Sequence, residues 1–336
     1  MPVTWLAIEP LDTLSVRDGR GFAAGLDTLS AAVFPPPSTV AGAVHEALAA
    51  LGGRSRFKRL SGPLLRHRAH GLLFPWPRHV LFDVDTERVN VLRPVSGSLH
   101  DPDVPGVLAG DGEVPALMMR GNDLEAVLHG LVDLEGLAEQ VASERVRELG
   151  MRWSVEPHIG LYRDEHGAAV EGYLYAAQHL RLDDTVSLVA RVATEQAVPG
   201  PAVVEMGGER RHVEIGPIAD LHVPAMPDGF PGGRIALYLA TPAVFTDGWR
   251  PQLPDEVTLV GAAVDGPVPM STRAQQRHVL RWAVAAGSTY LLQVTGDRRE
   301  ARAQELARDW HDRALWQVES RLRTSGFGWC FTGRWS

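Results

Sequence analysis

Two arginines in a glycine-containing stretch are the first residues that could bind an anion. Arg17 and Arg20 stand in SVRDGRGF, separated by Asp18 and a glycine. Glycine lets backbone amides come close to a phosphate, and a guanidinium group can donate two parallel hydrogen bonds to its oxygens. The stretch therefore predicts a phosphate contact through Arg17 or Arg20. An internal pair between one arginine and Asp18 explains the stretch equally well.

A second arginine pair follows two glycines in EMGGERRHVEIG, residues 205–216. On a strand, Arg210 and Arg211 would point to opposite faces. One of them could then pair with Glu209 or Glu214 while the other reaches a ligand.

The stretch FPPPSTVAGAV, residues 34–44, brings three prolines to the start of an apolar stripe at helical spacing. This stripe predicts a helix over residues 38–51. A helix N-terminus with exposed N–H groups suits an anion, and Ser38 and Thr39 would add hydroxyl donors. Plain capping of the helix by Ser38 is the simpler explanation of the same residues.

The sequence contains none of the common catalytic signatures. A nucleophile elbow, a P-loop, an HExxH pair and a dinucleotide fingerprint are all missing. Cys330 is the single cysteine, which excludes an internal disulfide and a multi-cysteine zinc site. We therefore predict no catalytic residue, no metal and no cofactor.

Charge and hydropathy narrow the class of protein further. The 336 residues carry a net charge of −8, whereas a free duplex-DNA binder is usually basic. No acid occurs between Glu46 and Asp83, and this basic window predicts either a bounded polyanion site or a solvated surface. No apolar run approaches the roughly 18 residues of a membrane span, and no signal peptide is evident, so we expect a cytoplasmic protein without membrane contact.

The pattern of elements predicts an α+β fold with antiparallel sheets, because strands outnumber helices and do not alternate with them. Helices are expected at residues 38–51, 122–149 with a break, and 298–323. Strands are expected at residues 4–9, 66–74, 79–83, 186–192, 235–239, 257–264 and 290–294. A hairpin at 156–182 is expected to turn at 163–167, and residues 203–215 are expected to form a second hairpin or a bulged ribbon. The pattern is consistent with two lobes that divide near Gln178.

Taken in order, these stretches resemble the RAMP superfamily of CRISPR proteins. Within it they are most similar to the type III-B (Cmr complex) subunit that caps the 5′ handle of the guide RNA. The resemblance spans nearly the whole chain. It rests on Arg17-Asp18, Phe-Pro-Pro-Pro with Val-Ala-Gly-Ala (34–43), Gly-Gly-Glu-Arg-Arg (207–211), Thr-Pro-x-x-Phe-x-x-Gly-Trp (241–249) and Gly-Phe-Gly…Gly-x-Trp (326–335).

The resemblance implies two ferredoxin-like (RRM-like) lobes with insertions, residues 1–178 and 179–336, and a non-catalytic role. It implies binding of the crRNA 5′ handle and docking of the large polymerase-like subunit and the first backbone RAMP subunit in antiviral defence. His45 stands where the family pattern has an arginine, and Trp282 stands where it has another, with Arg281 one place earlier. The RNA-binding residues expected are Arg17, Arg20, Ser38, Thr39, His45, Arg210, Arg211, Arg281 and Trp282.

Two other functions are compatible with the same residues. A RAMP endoribonuclease that processes precursor crRNA would use His45 or His158 as general acid or base, although Lys58 is the only lysine that could assist. A scaffold without RNA contact would instead turn the basic window toward acidic partners.

Overall fold

Antiparallel sheets carry most of the fold in the computed structural model. It describes residues 2–17, 32–52, 57–83, 85–95, 108–115, 117–130, 137–139, 153–195, 197–274 and 277–336. All strand pairings within these residues are antiparallel. The α+β class and the antiparallel sheets predicted from the sequence are confirmed.

The larger sheet has seven strands. In spatial order they are β12 (Ala202–Glu205), β13 (His212–Ile218), β1 (Val3–Pro10), β11 (Val186–Ala193), β2 (Arg59–His67), β3 (Gly71–Pro75) and β8 (Met118–Arg120). β1 lies inside the sheet, and its alternating side chains enter two different cores, Leu6 on one face and Trp5 on the other. The strand predicted at residues 66–74 is wrong, because a turn at 68–70 separates β2 from β3.

The smaller sheet has five strands. They are β15 (Val257–Ala263), β18 (Thr289–Val294), β14 (Arg234–Leu239), β20 (Trp329–Gly333) and β19 (Arg313–Ala314), in spatial order. Along the chain, the last strand of the larger sheet ends at Ile218, and the first strand of the smaller sheet begins at Arg234. The lobe division expected near residue 178 falls within a strand of a separate ribbon, and as a domain boundary it stays a prediction.

Four two-stranded ribbons complete the strands of the described residues. They are β4 (Val80–Asp83) with β5 (Arg88–Val91), β6 (Arg93–Pro94) with β7 (Leu108–Ala109), β9 (Trp153–Arg163) with β10 (Ala169–Leu182), and β16 (Val268–Ala274) with β17 (Arg277–Ala283). The hairpin predicted over residues 156–182 is confirmed as the β9–β10 ribbon.

The helices with defined bounds are α1 (Pro37–Ala50), α2 (Gly121–Leu128), α3 (Arg299–Trp310) and α4 (Ser320–Thr324). The helix predicted over residues 298–323 is therefore wrong. It ends at Trp310 because Asp312 and Trp316 adopt φ values of 57° and 48°, outside the helical region. The carboxylate of Asp312 accepts a hydrogen bond from Trp329 Nε1 at 2.8 Å and pairs with Arg191, which anchors the break.

In the helical region expected over residues 122–149 with a break, α2 ends at Leu128 and residues 137–139 are helical. Residues 131–136 and 140–152 lie outside the described part. Within the described residues, no helix combines the length and apolar character needed to cross a membrane.

Aromatic side chains join the two sheets. Trp329 and Phe331 of β20 share one buried cluster with Trp5 and Phe74 of the larger sheet. The ring centroids of Trp5 and Trp329 lie 6.4 Å apart, and those of Phe74 and Phe331 lie 5.6 Å apart. This shared core fixes one sheet against the other.

A buried histidine just before β4 contacts the smaller sheet and gives a pH prediction. His79 Nδ1 lies 3.0 Å from Thr289 Oγ1, and burial lowers the pKa of His79 from 6.5 to about 4. The unfolded chain therefore binds a proton that the folded chain excludes between these pH values. We expect this residue to reduce the free energy of unfolding by about 1.4 kcal/mol per pH unit as pH falls from 6 to 5.

The measurement is urea denaturation at several pH values for the wild type and His79→Gln. The variant should show a shallower loss of stability between pH 6.5 and 4. An equal pH dependence in both proteins would contradict this origin of the acid sensitivity.

Candidate nucleic-acid interface

The N-terminus of α1 is built differently from the sequence prediction. Pro36 is the N-cap residue and no side chain caps the helix, so the expected capping by Ser38 is wrong. The Ser38 hydroxyl instead donates to the carbonyl oxygen of Ser271 in β16, at 3.5 Å. Pro36 and Pro37 have no N–H, and the Thr39 amide bonds to the Pro36 carbonyl. The groups at this helix end that could donate to an anion are therefore mainly side-chain hydroxyls and not free backbone amides.

An apolar cavity of about 300 Å³ lies on one side of this helix end. Phe34, Trp153 and Met270 contribute apolar walls, and Arg17 and Thr39 contribute the polar ones. The rings of Phe34 and Trp153 lie 5.3 Å apart. The three prolines at 35–37 also line this cavity. These rigid residues therefore shape the cavity as well as the start of α1.

A larger space of about 690 Å³ lies on the other side, between α1, β16 and α4. We call it the α1–α4 groove. Its polar lining consists of Ser38, His45, Thr272, Glu319, Arg321, Thr324 and Ser325. The acid in that lining, Glu319, pairs with Arg281. Ser38 and Thr39 are adjacent, so a single helix end borders both the groove and the apolar cavity.

Gly42 forms part of the wall of the α1–α4 groove. A Cβ atom added there would have no atom within 4 Å, so packing inside the chain does not require glycine. Glycine inside a helix nevertheless costs about 1 kcal/mol relative to alanine. An exposed glycine at the wall of a groove is what the close approach of an external backbone would require.

The β16–β17 ribbon separates its two predicted site residues. Arg281 is mostly buried, pairs with Glu319 and donates from Nε to Thr272 Oγ1 at 3.2 Å. Trp282, the next residue, points the other way and is 56% exposed. Arg281 is therefore held by groups of its own chain, and Trp282 presents an open aromatic surface.

Residues 207–211 form a turn, which corrects the predicted strand alternation. Glu209 and Arg210 have φ values of 56° and 52°, and β13 begins only at His212. The Gly208 amide donates to the Ser15 carbonyl at 2.7 Å. A Cβ on Gly207 would lie 2.5 Å from the same oxygen, so glycine is needed for this close approach. The turn is thus fixed onto the segment that carries Arg17.

Nearly the whole chain matches one known protein family. The family model described as CRISPR-associated protein (Cas_Cmr3) matches residues 6–335. The chain belongs to the Cas_Cmr3 family. This confirms the resemblance found in the sequence, and it makes the chain a subunit of a CRISPR effector complex. No curated protein matches it.

Two solved structures support the fold of this Cas_Cmr3 chain. A chain of the Type III-B Cmr-beta bound to cognate target RNA and AMPPnP (state 1, cryo-EM) is 16% identical, with a TM-score of 0.51. The match covers 85% of this chain and 86% of that one. A chain of the Type III-B Cmr-beta bound to cognate target RNA has a TM-score of 0.50 at 16% identity, with the same coverage of both chains.

Acidic residues engage two more of the predicted arginines in this Cas_Cmr3 chain, in addition to Arg281. Arg17 pairs with Glu209 at 3.3 Å, and Arg211 pairs with Asp12 at 2.6 Å. The internal partner considered for Arg17 was Asp18, but Asp18 and Arg20 lie outside the described residues. Arg210 is exposed and makes no ion pair or hydrogen bond within the described part of the chain.

A buried histidine orders the acid that pairs with Arg17. His179 Nε2 lies 2.9 Å from Glu209, and its Nδ1 lies 2.9 Å from Thr13 Oγ1. Burial lowers the pKa of His179, and the neighbouring Glu209 carboxylate opposes that shift without cancelling it. His158 stacks on His179 with ring centroids 3.9 Å apart. Glu209 is therefore held from two sides, and Arg17 is positioned through it.

The hydrogen bonds of Arg181 complete this network. Its guanidinium group bonds both Asp12 and Glu156. Burial would raise the pKa of Asp12, but Arg181 and Arg211 outweigh it and the pKa is lowered. The hydrogen bond from Arg181 is also the main cause of the lowered pKa of Glu156. Asp12 thus stays ionised and keeps Arg211 engaged.

Sequence reasoning missed the groove residues contributed by α4 and β16. Arg321 was assigned to one long helix over residues 298–323, and Thr272, Thr324 and Ser325 were not assigned at all. Only the break after Trp310 brings α4 against α1. The glycine in Val-Ala-Gly-Ala was the one available sequence indication that this face of α1 is special.

Of the basic window, Lys58 pairs with Glu195 at 3.0 Å and Arg78 pairs with Asp265 at 2.9 Å. Both cations are thus engaged by acids from outside the window. Whether the window as a whole is a polyanion site or a solvated surface stays a prediction. His45, which precedes the window, faces the α1–α4 groove with its ring 6.5 Å from that of Phe57.

Proposed function

We propose that this chain is the non-catalytic subunit of a type III-B effector complex that holds the 5′ handle of the crRNA. The α1–α4 groove is the observation that carries the proposal. It combines hydroxyl donors, His45, Arg321 and the bare backbone of Gly42 on one open surface. Single-stranded RNA is held by phosphate contacts and by base stacking, which are the interactions that such a surface offers.

The RNA path follows from what borders the groove. From the groove, a strand would pass over the end of α1 at Ser38 and Thr39 and reach the turn that carries Arg210. Arg210 would supply a phosphate contact, since it is the exposed arginine of its pair. Trp282 would supply a stacking surface for a base. Arg17, Arg211 and Arg281 would act mainly by positioning the acids and turns around this path.

Docking of other subunits is proposed from the β9–β10 ribbon. Val155 and Ile159 lie on one face of β9, and Ile159 is 74% exposed. The opposite face carries Glu156 and His158, which belong to the buried-histidine network. An exposed apolar face on a projecting ribbon fits a protein partner, and we assign it to the large polymerase-like subunit or the first backbone subunit.

The test is ribonuclease digestion of the effector complex purified with and without this subunit. With the subunit, the co-purified RNA should retain a constant protected 5′ segment of about eight nucleotides, as expected for a single-strand site of this kind. Without it, that segment should be degraded. Equal protection in both preparations would reject the proposal.

The endoribonuclease alternative requires a general acid and a general base at one phosphodiester. Lys58, the only lysine, is ion-paired with Glu195, and His158 is stacked on a buried histidine. Incubation of the purified chain with repeat RNA in the absence of metal separates the two functions. A defined cleavage product would favour the alternative.

A further inference from the structure

A third cavity, which we call the arginine cavity, lies at the other end of β14 from the apolar cavity. It measures about 340 Å³ and is lined by Arg93, Arg234 and Arg334. Arg234 begins β14, whereas Ala240, just after its end, lines the apolar cavity. A strand rises about 3.3 Å per residue, so roughly 20 Å separate the two places. The arginine cavity also shares no lining residue with the apolar cavity or the α1–α4 groove.

The charge in this cavity is unbalanced. Three arginines line it, and its described lining includes no Asp or Glu. Even with a carboxylate on Ser336, which also lines it, the cavity keeps an excess of positive charge. In a chain with a net charge of −8, such a local excess calls for an anionic ligand.

Contacts within the chain fix two of the guanidinium groups. Arg334 Nε donates to the His129 carbonyl at 2.5 Å. The Arg234 guanidinium lies over the Trp335 ring, 4.9 Å from its centre. The first contact uses only Nε–H of Arg334, and the second uses only the flat face of the Arg234 guanidinium. The terminal N–H groups of both arginines therefore remain available as donors. Arginines held in this way lose little conformational freedom when they bind an anion.

The remaining walls set the size and polarity of the ligand. Val91, Leu92 and Leu291 give an apolar floor, and the imidazole of His79 adds a polar group whose Nδ1 faces Thr289. A cavity of this volume is at the small end of ligand sites. Three guanidinium groups also match a doubly or triply charged phosphoryl group better than one carboxylate.

We propose that the arginine cavity binds a small phosphorylated ligand through a diphosphate or terminal phosphate group. Arg234 and Arg334 would grip the phosphate oxygens, and Arg93 would close the site from the β6–β7 ribbon. The apolar floor would take the organic part of the ligand. This site is additional to the proposed RNA function and does not depend on it.

The test is isothermal titration of the purified chain with sodium pyrophosphate and, separately, with ADP. Both probes should bind, and Arg93→Gln and Arg234→Gln should each weaken binding by roughly tenfold or more. Arg308→Gln, which removes one exposed arginine from α3, is the matched control and should change nothing. Arg234→Lys, which keeps the charge and loses the planar fork, should restore only part of the affinity.

Three outcomes would overturn the proposal. They are no binding of either probe, equal binding to all the variants, and displacement of pyrophosphate by a short single-stranded handle RNA. The last outcome would show that the cavity belongs to the RNA path. If ADP binds more tightly than pyrophosphate, the apolar floor contributes to recognition. If the two bind equally, the phosphates alone are recognised. Loss of handle protection in the complex would leave these results unaffected, so the two proposals fail independently.

Discussion

Gly42→Glu is expected to weaken binding of the crRNA 5′ handle by on the order of a hundredfold, because opposed like charges cost several kcal/mol. The new side chain would occupy the α1–α4 groove where the structure leaves its wall bare. It would place a carboxylate where the phosphate backbone is proposed to run. The measurement is fluorescence anisotropy with a labelled handle RNA.

Two control variants separate this effect from damage to the helix. Gly42→Ala should fold with a free energy of unfolding higher by up to about 1 kcal/mol, because alanine is the better helix former. Its RNA affinity should fall far less than that of the glutamate variant. Ala50→Glu adds the same charge to an exposed position of α1 that does not line the groove. Equal losses in Gly42→Glu and Ala50→Glu would show that the groove is not the RNA site.

The second large effect is expected for Arg210→Ala. This arginine is exposed on a turn that two glycine backbone positions fix against residues 13–17. Loss of its phosphate contact should reduce affinity by about tenfold. One fewer released counterion should also flatten the slope of log affinity against log salt by about 0.7, the value for single strands. The measurement is the same titration repeated at several salt concentrations.

Arg211→Ala and Arg308→Ala are the comparisons for this prediction. Arg211 is paired with Asp12, so its removal should leave the salt slope nearly unchanged and act on the conformation of the turn. Arg308 is exposed on α3 and reports the effect of net charge alone. A salt slope that changes more in Arg211→Ala than in Arg210→Ala would reverse the roles assigned to the two residues.

Local patterns in the sequence predicted the elements that depend on local physics. The β1 strand, the α1 helix and the β9–β10 hairpin were all expected from periodicity and turn residues, and each is present. The long C-terminal helix was not predicted correctly. Its apolar stripe continues past Trp310, but the backbone is broken by Asp312, whose partners Arg191 and Trp329 come from other strands. No local pattern reports such a distant anchor.

The sequence identified which residue types belong to the candidate site, but it did not predict what each residue does there. Both arginine pairs were identified, yet their acidic partners are far away in sequence. Arg17 and Glu209 are 192 residues apart, and Arg211 and Asp12 are 199 residues apart. Ser38 similarly meets Ser271 across 233 residues. Which arginine stays exposed is decided by these long-range contacts, so sequence alone could not distinguish Arg210 from its neighbours.

Photocrosslinking of the intact effector complex tests the central claim most directly. The crRNA would carry 4-thiouridine at single positions of its 5′ handle, and crosslinked peptides would be identified by mass spectrometry. We predict crosslinks to this chain within α1, α4 and the β16–β17 ribbon, including the peptide that contains Trp282. Crosslinks that fall only on other subunits, or on this chain outside the α1–α4 groove, its border and the turn that carries Arg210, would contradict the account.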